Sequence, residues 1–396
     1  MHNVYVSAYT LTCALGTGIE AIRQSISLGN SGLSDIPWPN TKVDTWLGRV
    51  SDLDDNPVAL PAEFDSRNNS LARLALDQDG FLAAVAQTVD RYGAQRCGVI
   101  LGTSTSSMGR TEDSYRRLEA DGKFLEADRN ALLHSPHSTT EYVAGYLRIT
   151  GPAVTVSTAC SSSARVFSSV ARWLECGIVD AVVVGGVDSL CLGVICGFHS
   201  LQLVSPDPCK PFDVERNGLN LGEAGGFALL TSDLSDMDGS PAVLLGYGES
   251  QDAHHMSSAH PEGLGAKLAM KEAAGRAGMS LGDIDYLNLH GTGTRLNDSI
   301  EGLACGDLFG EGLLCSATKS WTGHTLGAAG ITEAVLAMET LSTGTVPGTI
   351  NTRSIDPEIQ IEVLLENRSF EPEIVMTNSF GFGGNNCSLI FARAGL

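Results

Sequence analysis

Twice in this chain a short apolar run ends on a chemically capable side chain, passes through glycine, serine or threonine, and becomes a helical pattern. Residues 154–156 read as a strand that runs into Ser157-Thr-Ala-Cys160-Ser-Ser-Ser163. Val166, Val170, Trp173, Leu174 and Gly177 then repeat at i, i+4, i+7, i+8 and i+11, one face of a helix. Residues 284–289 read as a strand ending on His290, followed by Gly-Thr-Gly-Thr294 and a helical pattern over 298–308. A strand that delivers a reactive residue to a tight loop and then turns into a helix is a unit of layered α/β structure. Between the two units lies Asp180-Ala-Val-Val-Val-Gly-Gly186, apolar on both faces, as expected for a central strand covered by helices on both sides. The expectation is α/β layering with internal pseudo-symmetry, although the halves share no residue-level repeat.

Further strands are expected over residues 4–8, 97–101, 243–247, 373–377 and 388–392. Helices are expected over 18–28, 139–147, 266–277 and 327–341, with one long helix over 71–92. Residues 35–65 hold several Pro and Asp and read as an irregular excursion. The Asp-rich stretch 232–240 is the best boundary, dividing the chain into 1–236 with the cysteine and 237–396 with both histidines.

Composition removes several function classes. With 46 acidic against 25 basic residues the formal charge is −21, which argues against a nucleic-acid-binding surface. Ten cysteines in 396 residues, without paired CxxC spacing, make neither a disulfide framework nor a zinc site. Cys191 and Cys196, in the apolar run Leu190-Cys-Leu-Gly-Val-Ile-Cys196, read as buried free thiols. His254, His255 and His260 lack an acidic or cysteine partner at ligand spacing, so a loop is expected there and no metal. There is no Walker A motif and no Gly-x-Ser-x-Gly elbow. No basic segment leads into an apolar one at the N-terminus, and no stretch is apolar enough to span a bilayer. A reduced, cytoplasmic protein is expected.

The remaining motifs point to thioester chemistry. A cysteine at a helix start gains partial positive charge and free N–H groups, which favour thiolate, and its own N–H can face a developing oxyanion. Ser161–Ser163 would make poor core and good first-turn residues. The Thr292 and Thr294 hydroxyls after His290 suit a narrow tunnel holding an amide-containing ligand. His324 lies in Lys319-Ser-Trp-Thr-Gly-His324-Thr-Leu-Gly-Ala-Ala-Gly330, whose small residues let another element pack closely. A buried Lys319 needs a carboxylate, with Glu333 or Asp298 as candidates. Asn378-Ser-Phe-Gly-Phe-Gly-Gly-Asn-Asn386 is a glycine loop whose N–H groups could complete an oxyanion hole.

Taken together these segments resemble the β-ketoacyl-[acyl-carrier-protein] synthases of the thiolase superfamily. The resemblance rests on Thr158-Ala-Cys160, Lys210-Pro-Phe-Asp213…Arg216…Gly222-Glu-Ala-Gly225, His290-Gly-Thr-Gly-Thr294, Lys319…His324…Gly330…Glu333 and Asn378-Ser-Phe-Gly-Phe-Gly-Gly384. It runs from about residue 3 to residue 393. It implies a five-layer αβαβα thiolase-like fold of two similar halves, usually dimeric. It implies that Cys160 takes an acyl chain from the phosphopantetheine of an acyl carrier protein, with no other cofactor. His290 and His324 would hold the malonyl thioester, Lys319 would order His324 and pair with Glu333, and Thr292 and Thr294 would bind pantetheine. The N–H groups of Cys160 and Phe382 would form the oxyanion hole, with Phe382 as gate and Phe380 nearby.

The chain departs from fatty-acid relatives at Gly-Thr-Gly-Thr294, at Asn385-Asn386, and at Thr105, where a bulky apolar residue near the pocket floor is common. These departures favour a dedicated pathway, such as a type II polyketide, polyene or aryl-polyene system, over primary fatty-acid elongation. An auxiliary, chain-length-factor-like subunit is the competing reading, opposed by Cys160 itself. An active chain in an obligate heterodimer stays open beside a homodimer. A biosynthetic thiolase would need a second catalytic cysteine, and Cys387 is followed by Ser-Leu-Ile instead of a glycine loop. Carrier protein is acidic, as is this chain, so docking needs a local basic patch; Arg67, Arg73, Arg110, Arg116 and Arg117 are the candidates.

Overall fold

The computed structural model describes residues 4–56, 58–233 and 242–394. Ten strands carry the architecture. The first five are β1 (Val4–Cys13), β2 (Cys97–Gly102), β3 (Ala153–Val156), β4 (Ala181–Asp188) and β5 (Ala224–Thr231). The second five are β6 (Ala242–Gln251), β7 (Tyr286–Leu289), β8 (Leu314–Ala317), β9 (Ile374–Gly381) and β10 (Asn385–Arg393). The first set is ordered β3-β2-β4-β5-β1 and the second β8-β7-β9-β10-β6. Both read third, second, fourth, fifth, first. The strand senses agree too: the second strand pairs parallel with the third and fourth, and the other pairings are antiparallel. The sheets meet where Val4–Val6 of β1 pair antiparallel with β6. The boundary expected at 236/237 lies outside the described residues.

Between the sheets lie two helices, α4 (Ser162–Glu175) and α8 (Ala329–Thr343). Outside the first sheet lie α1 (Arg67–Leu76), α2 (Phe81–Tyr92) and α3 (Ser138–Tyr146); outside the second lie α6 (Leu264–Ala277) and α7 (Arg295–Phe309). A further helix, α5 (Leu192–Ser200), follows β4. The apolar double face of β4 resolves into two cores. Val182 and Val184 pack inward with Val166, Phe167 and Ile331. Ala181, Val183 and Val187 pack outward with Leu71, Leu76 and Val143. A third core joins β7–β10 to α6 and α7 through Met270, Leu287, Met376 and Ile390. The central helices approach closely because residue 330 is glycine: a Cβ there would lie 2.3 Å from Ala164 N. Ile331 N–H donates to Ser163 Oγ across the same contact, at 2.9 Å. Overpacking this point with alanine should cost about 1–3 kcal/mol.

Several expectations need correction. The helix foreseen over 71–92 is two helices. Asp79 and Gly80 take left-handed backbone between them, at φ 55° and 70°. The Asp79 carboxylate is claimed from outside the helix by Ile19 N–H (3.0 Å) and the Thr10 hydroxyl (2.7 Å). Cys196 is exposed, not buried, because α5 keeps only Ile195 fully buried; Cys191 is buried as expected. Strands β5 and β8 gave no separate signal. β5 lies inside the first sheet, between β4 and β1, with all eight residues buried, so it lacks the alternation that marks a half-exposed strand. No helix among the described residues is long and apolar enough to cross a membrane.

Candidate active site

The loops at the C-terminal ends of the parallel strands converge, as is usual for ligand sites in such sheets. Cys160 follows β3 and sits just before α4. Ala159 holds φ 52°, unusual for a residue with a Cβ, and this turns the thiol out of the strand direction. Ser161, Ser162 and Ser163 are fully buried, contrary to the expectation that they make poor core. Their hydroxyls are used: Ser161 donates to Thr158 O (2.9 Å), Ser162 to Ala159 O (2.5 Å), and Ser163 accepts from Ile331. The three serines thus stitch the Cys160 turn to itself and to the other half of the molecule.

Cys160 shares one pocket with His290, Thr292, Thr294, His324, Phe380 and Phe382. The Phe382 and Cys160 N–H groups both face the sulfur. Gly381 eases this approach, since a Cβ there would stand 3.0 Å from Thr158 O and 3.2 Å from Cys160 N. Burial pushes the Cys160 thiol up to about 11, against the Phe382 N–H and the Lys319 charge, which pull it down. The helix start therefore does not make a resting thiolate, as the sequence suggested; the thiol is protonated at neutral pH.

His290 and His324 meet edge to face, ring centroids 5.5 Å apart. Burial, reinforced by Lys319, holds both imidazoles well below the usual histidine range, so both are neutral at pH 7. Lys319 is fully enclosed between the Glu333 carboxylate, His290 O (2.5 Å) and His290 Nδ1 (3.1 Å). An ammonium only donates, so His290 Nδ1 accepts and its proton sits on Nε2. The pairing of Lys319 with Glu333 agrees with expectation. Its ordering of His324 does not, because the ammonium reaches His290 instead. Asp298, the alternative partner, lies elsewhere: it accepts from Phe212 N–H (2.8 Å) and Thr292 N–H (3.1 Å). His324 is fixed through its backbone, donating to Asn220 O (2.7 Å) and accepting from Gly222 N–H (2.9 Å). Among the described residues its Nδ1 has no partner.

Glu301 went unnoticed in the sequence. One carboxylate oxygen accepts His290 N–H and the other Gly291 N–H, each at 2.8 Å. Burial raises its carboxyl to about 7, against the pull of the Gly291 and His290 N–H groups. The signal was present: Asp298 and Glu301 stand three residues apart on one helix, hence on one face. Phe198, stacked on Phe382 at 5.6 Å, was also missed because α5 was not recognised. The segment 252–259 lines the pocket mouth through Asp252, Ser257, Ser258 and Ala259. It carries the glycine loop, with Gly383 N–H donating to Met256 O at 2.7 Å. Thr292 and Thr294 share a hydroxyl hydrogen bond of 2.8 Å at the wall. The Thr105 hydroxyl donates to Asp188.

The five arginines proposed for docking are each committed to carboxylates. Arg67 binds Glu223 and Asp54, Arg73 binds Asp77, Arg110 and Arg117 bind Asp128, and Arg116 binds Asp113. These pairings reduce the net positive charge that the five present. His254 and His260 stand ring to ring at 5.2 Å. Among the described residues no group of three or more His, Cys, Asp or Glu side chains is placed to hold a metal ion.

Family models for the β-ketoacyl synthase N-terminal and C-terminal domains match residues 1–235 and 241–353. The chain belongs to the β-ketoacyl synthase family. A chain of the ketosynthase (ApeO)–chain length factor (ApeC) complex from Xenorhabdus doucetiae is 40% identical at TM-score 0.90, covering 99% of this chain and 98% of that one. A chain of the ishigamide ketosynthase/chain length factor is 28% identical at TM-score 0.89, with full coverage of both. Nodulation protein E of Rhizobium meliloti (strain 1021) is 30% identical over 398 residues, 96% of each chain. The layered architecture is the thiolase-like fold of ketosynthases.

Proposed function

We propose that this chain is the catalytic ketosynthase of a specialised polyketide, polyene or aryl-polyene system. It would condense an acyl group on Cys160 with a malonyl thioester on acyl carrier protein, releasing CO2 and leaving a 3-oxoacyl-carrier protein. One observation carries this reading: a thiol flanked by two N–H groups and two neutral imidazoles share one pocket.

In the first step Cys160 Sγ attacks the acyl thioester and its proton passes to the departing pantetheine sulfur. The Cys160 and Phe382 N–H groups hold the oxyanion. With the thiol raised to about 11, the proton must leave as the bond forms. In the second step the malonyl thioester carbonyl accepts hydrogen bonds from His290 Nε2–H and from His324. The bond to the carboxylate breaks, CO2 leaves, and its electron pair forms the enolate. Neutral donors suit this step, because they stabilise the enolate without protonating its carbon. The enolate carbon then attacks the acyl-cysteine carbonyl, the new C–C bond forms, and Sγ leaves as thiolate and takes a proton from solvent. Lys319 holds His290 in its donor tautomer, while Thr292 and Thr294 line the pantetheine path. The substrates ride on phosphopantetheine, and the reaction so written calls on no resident cofactor.

An auxiliary subunit fits less well, because such a subunit needs no nucleophile. A heterodimer with this chain as the active member is supported by the two ketosynthase/chain length factor relatives. It is supported also by β3, the outermost strand of the first sheet, whose Val154 is exposed. For carrier protein, Arg295 and Arg353 join the five arginines as candidates. Arg295 precedes Leu296 and Asn297 of the pocket wall, and Arg216 ties that helix start to the 213–216 turn. Arg353 lines a surface depression with Asp213 of that turn, where Lys210 pairs with Glu215 at 3.9 Å.

The test is intact-protein mass spectrometry with a panel of acyl-carrier proteins, followed by malonyl-carrier protein. An acyl adduct on Cys160, then its loss with release of 3-oxoacyl product, is expected. Acylation of no donor, with or without a co-expressed ketosynthase-like partner, would overturn the reading.

A further inference from the structure

Asp188, the last residue of β4, has no role in the steps above, yet it is fully buried and heavily engaged. One oxygen accepts from the Thr103 hydroxyl (2.6 Å), the Thr105 N–H (2.9 Å), the Thr105 hydroxyl (2.6 Å) and the Ser104 N–H (3.1 Å). The other accepts from the Ser104 N–H (2.9 Å), the Ser104 hydroxyl (2.7 Å) and the Gly327 N–H (2.6 Å). All these partners are backbone amides and hydroxyls. A buried carboxylate is costly unless its lone pairs are filled, and here seven contacts from four residues fill them.

The partners come from two places. Thr103–Thr105 form the loop after β2. Gly327 lies three residues beyond His324, and a Cβ there would stand 2.6 Å from both Asp188 Oδ2 and Ser104 N. Between them Leu326 holds φ 57°, a left-handed conformation that costs a residue with a side chain about 1–2 kcal/mol. Such a conformation persists only where the surroundings impose it. The His324 backbone is held at its N–H by Asn220 and at its C=O by Gly222, and among the described residues the ring has no partner at Nδ1. The next fixed point along the chain is Gly327.

We propose that Asp188 is a positioning residue of the condensing site: its carboxylate locks the turn behind His324 onto the Thr103–Thr105 loop and so sets where His324 presents its ring. This rests on the reading of His324 as a donor to the malonyl thioester. The same charge is felt at Cys160, where it opposes thiolate, while Lys319 and the Phe382 N–H favour it and the two histidines are neutral.

The experiment uses the full-length protein and Asp188→Asn. The amide keeps the shape but removes the charge and turns N–H groups toward N–H donors. CO2 release from malonyl-carrier protein should fall about ten- to a hundredfold in kcat with KM little changed. Independently of any substrate, the pH at which iodoacetamide alkylates Cys160 at half its maximal rate should move down, because a charge opposing thiolate is gone. A role confined to folding would leave kcat unchanged in a protein that retains wild-type melting. Wild-type kcat, or an alkylation profile that stays put, overturns the proposal. If Asp188→Asn does not fold, Thr103→Val/Thr105→Val removes two donors and keeps the carboxylate. That variant should lose several-fold in kcat, and wild-type turnover from it would overturn the proposal as well. Should the wild type release no CO2, the functional reading fails, and the alkylation profile still decides whether Asp188 acts on the site.

Discussion

The two halves use the same five-stranded sheet and solve the same local problem differently. In each, the loop after the second strand must be held open-ended at the pocket, with its N–H groups satisfied by something other than a neighbouring strand. In the second half Asp298 and Glu301, both on the helix that follows, take the N–H groups of His290, Gly291 and Thr292. In the first half Asp188, at the end of the fourth strand, takes those of Ser104 and Thr105. The local anchor leaves the second loop dependent on its own helix. The distant one binds the first loop to Gly327 and hence to His324. The parallel extends to the third strands: one leads to Cys160 and the other to His324, each just ahead of a central helix. Equivalent positions in a duplicated frame thus carry the Cys160 thiol on one side and the His324 imidazole on the other.

The sharpest test separates the halves. Cys160→Ala should abolish both acylation and condensation, a loss of about a thousandfold or more, because no other group replaces the covalent step. His290→Ala and His324→Ala should keep acylation, read as an adduct by mass spectrometry, and lose decarboxylation by about 10²–10³-fold. Equal loss of acylation in all three would break the division of labour. Next comes Lys319→Ala, which strands the Glu333 carboxylate in the core. It should cost about 3–5 kcal/mol in denaturant unfolding. Lys319→Met/Glu333→Gln should recover most of that stability and little of the condensation, since the Nδ1 partner of His290 stays missing. Glu301→Gln, a local anchor lost, should cost about 1–3 kcal/mol in transition-state stabilisation, read as kcat for decarboxylation, with Cys160 acylation unchanged. The smallest effect is expected at the rim. Arg295→Glu and Arg353→Glu should raise KM for carrier protein several-fold at low ionic strength, and the difference should shrink toward 0.5 M salt.

Much of the site was readable because its chemistry is carried by short contiguous motifs. Cys160, His290, His324, Thr292, Thr294, Phe380 and Phe382 were expected in one pocket and are found there. What the sequence misplaced were relations between segments. Lys319 was given to His324 by the family resemblance, yet a fold that brings β7 beside β8 hands it to His290. The docking arginines were read as free charge, and each met a carboxylate from the same or a neighbouring segment.

By itself the sequence determined the α/β class, the doubling of the strand–loop–helix unit and the reactive residues, because periodicity and local motifs are written over a few adjacent positions. Only the tertiary structure decided how those residues are tuned. Burial raises the Cys160 thiol and keeps both histidines neutral. Asp188 and Glu301 acquire their meaning from backbone N–H groups supplied by other segments. Desolvation and long-range hydrogen bonds depend on which surfaces meet, and no single stretch of the chain contains that information.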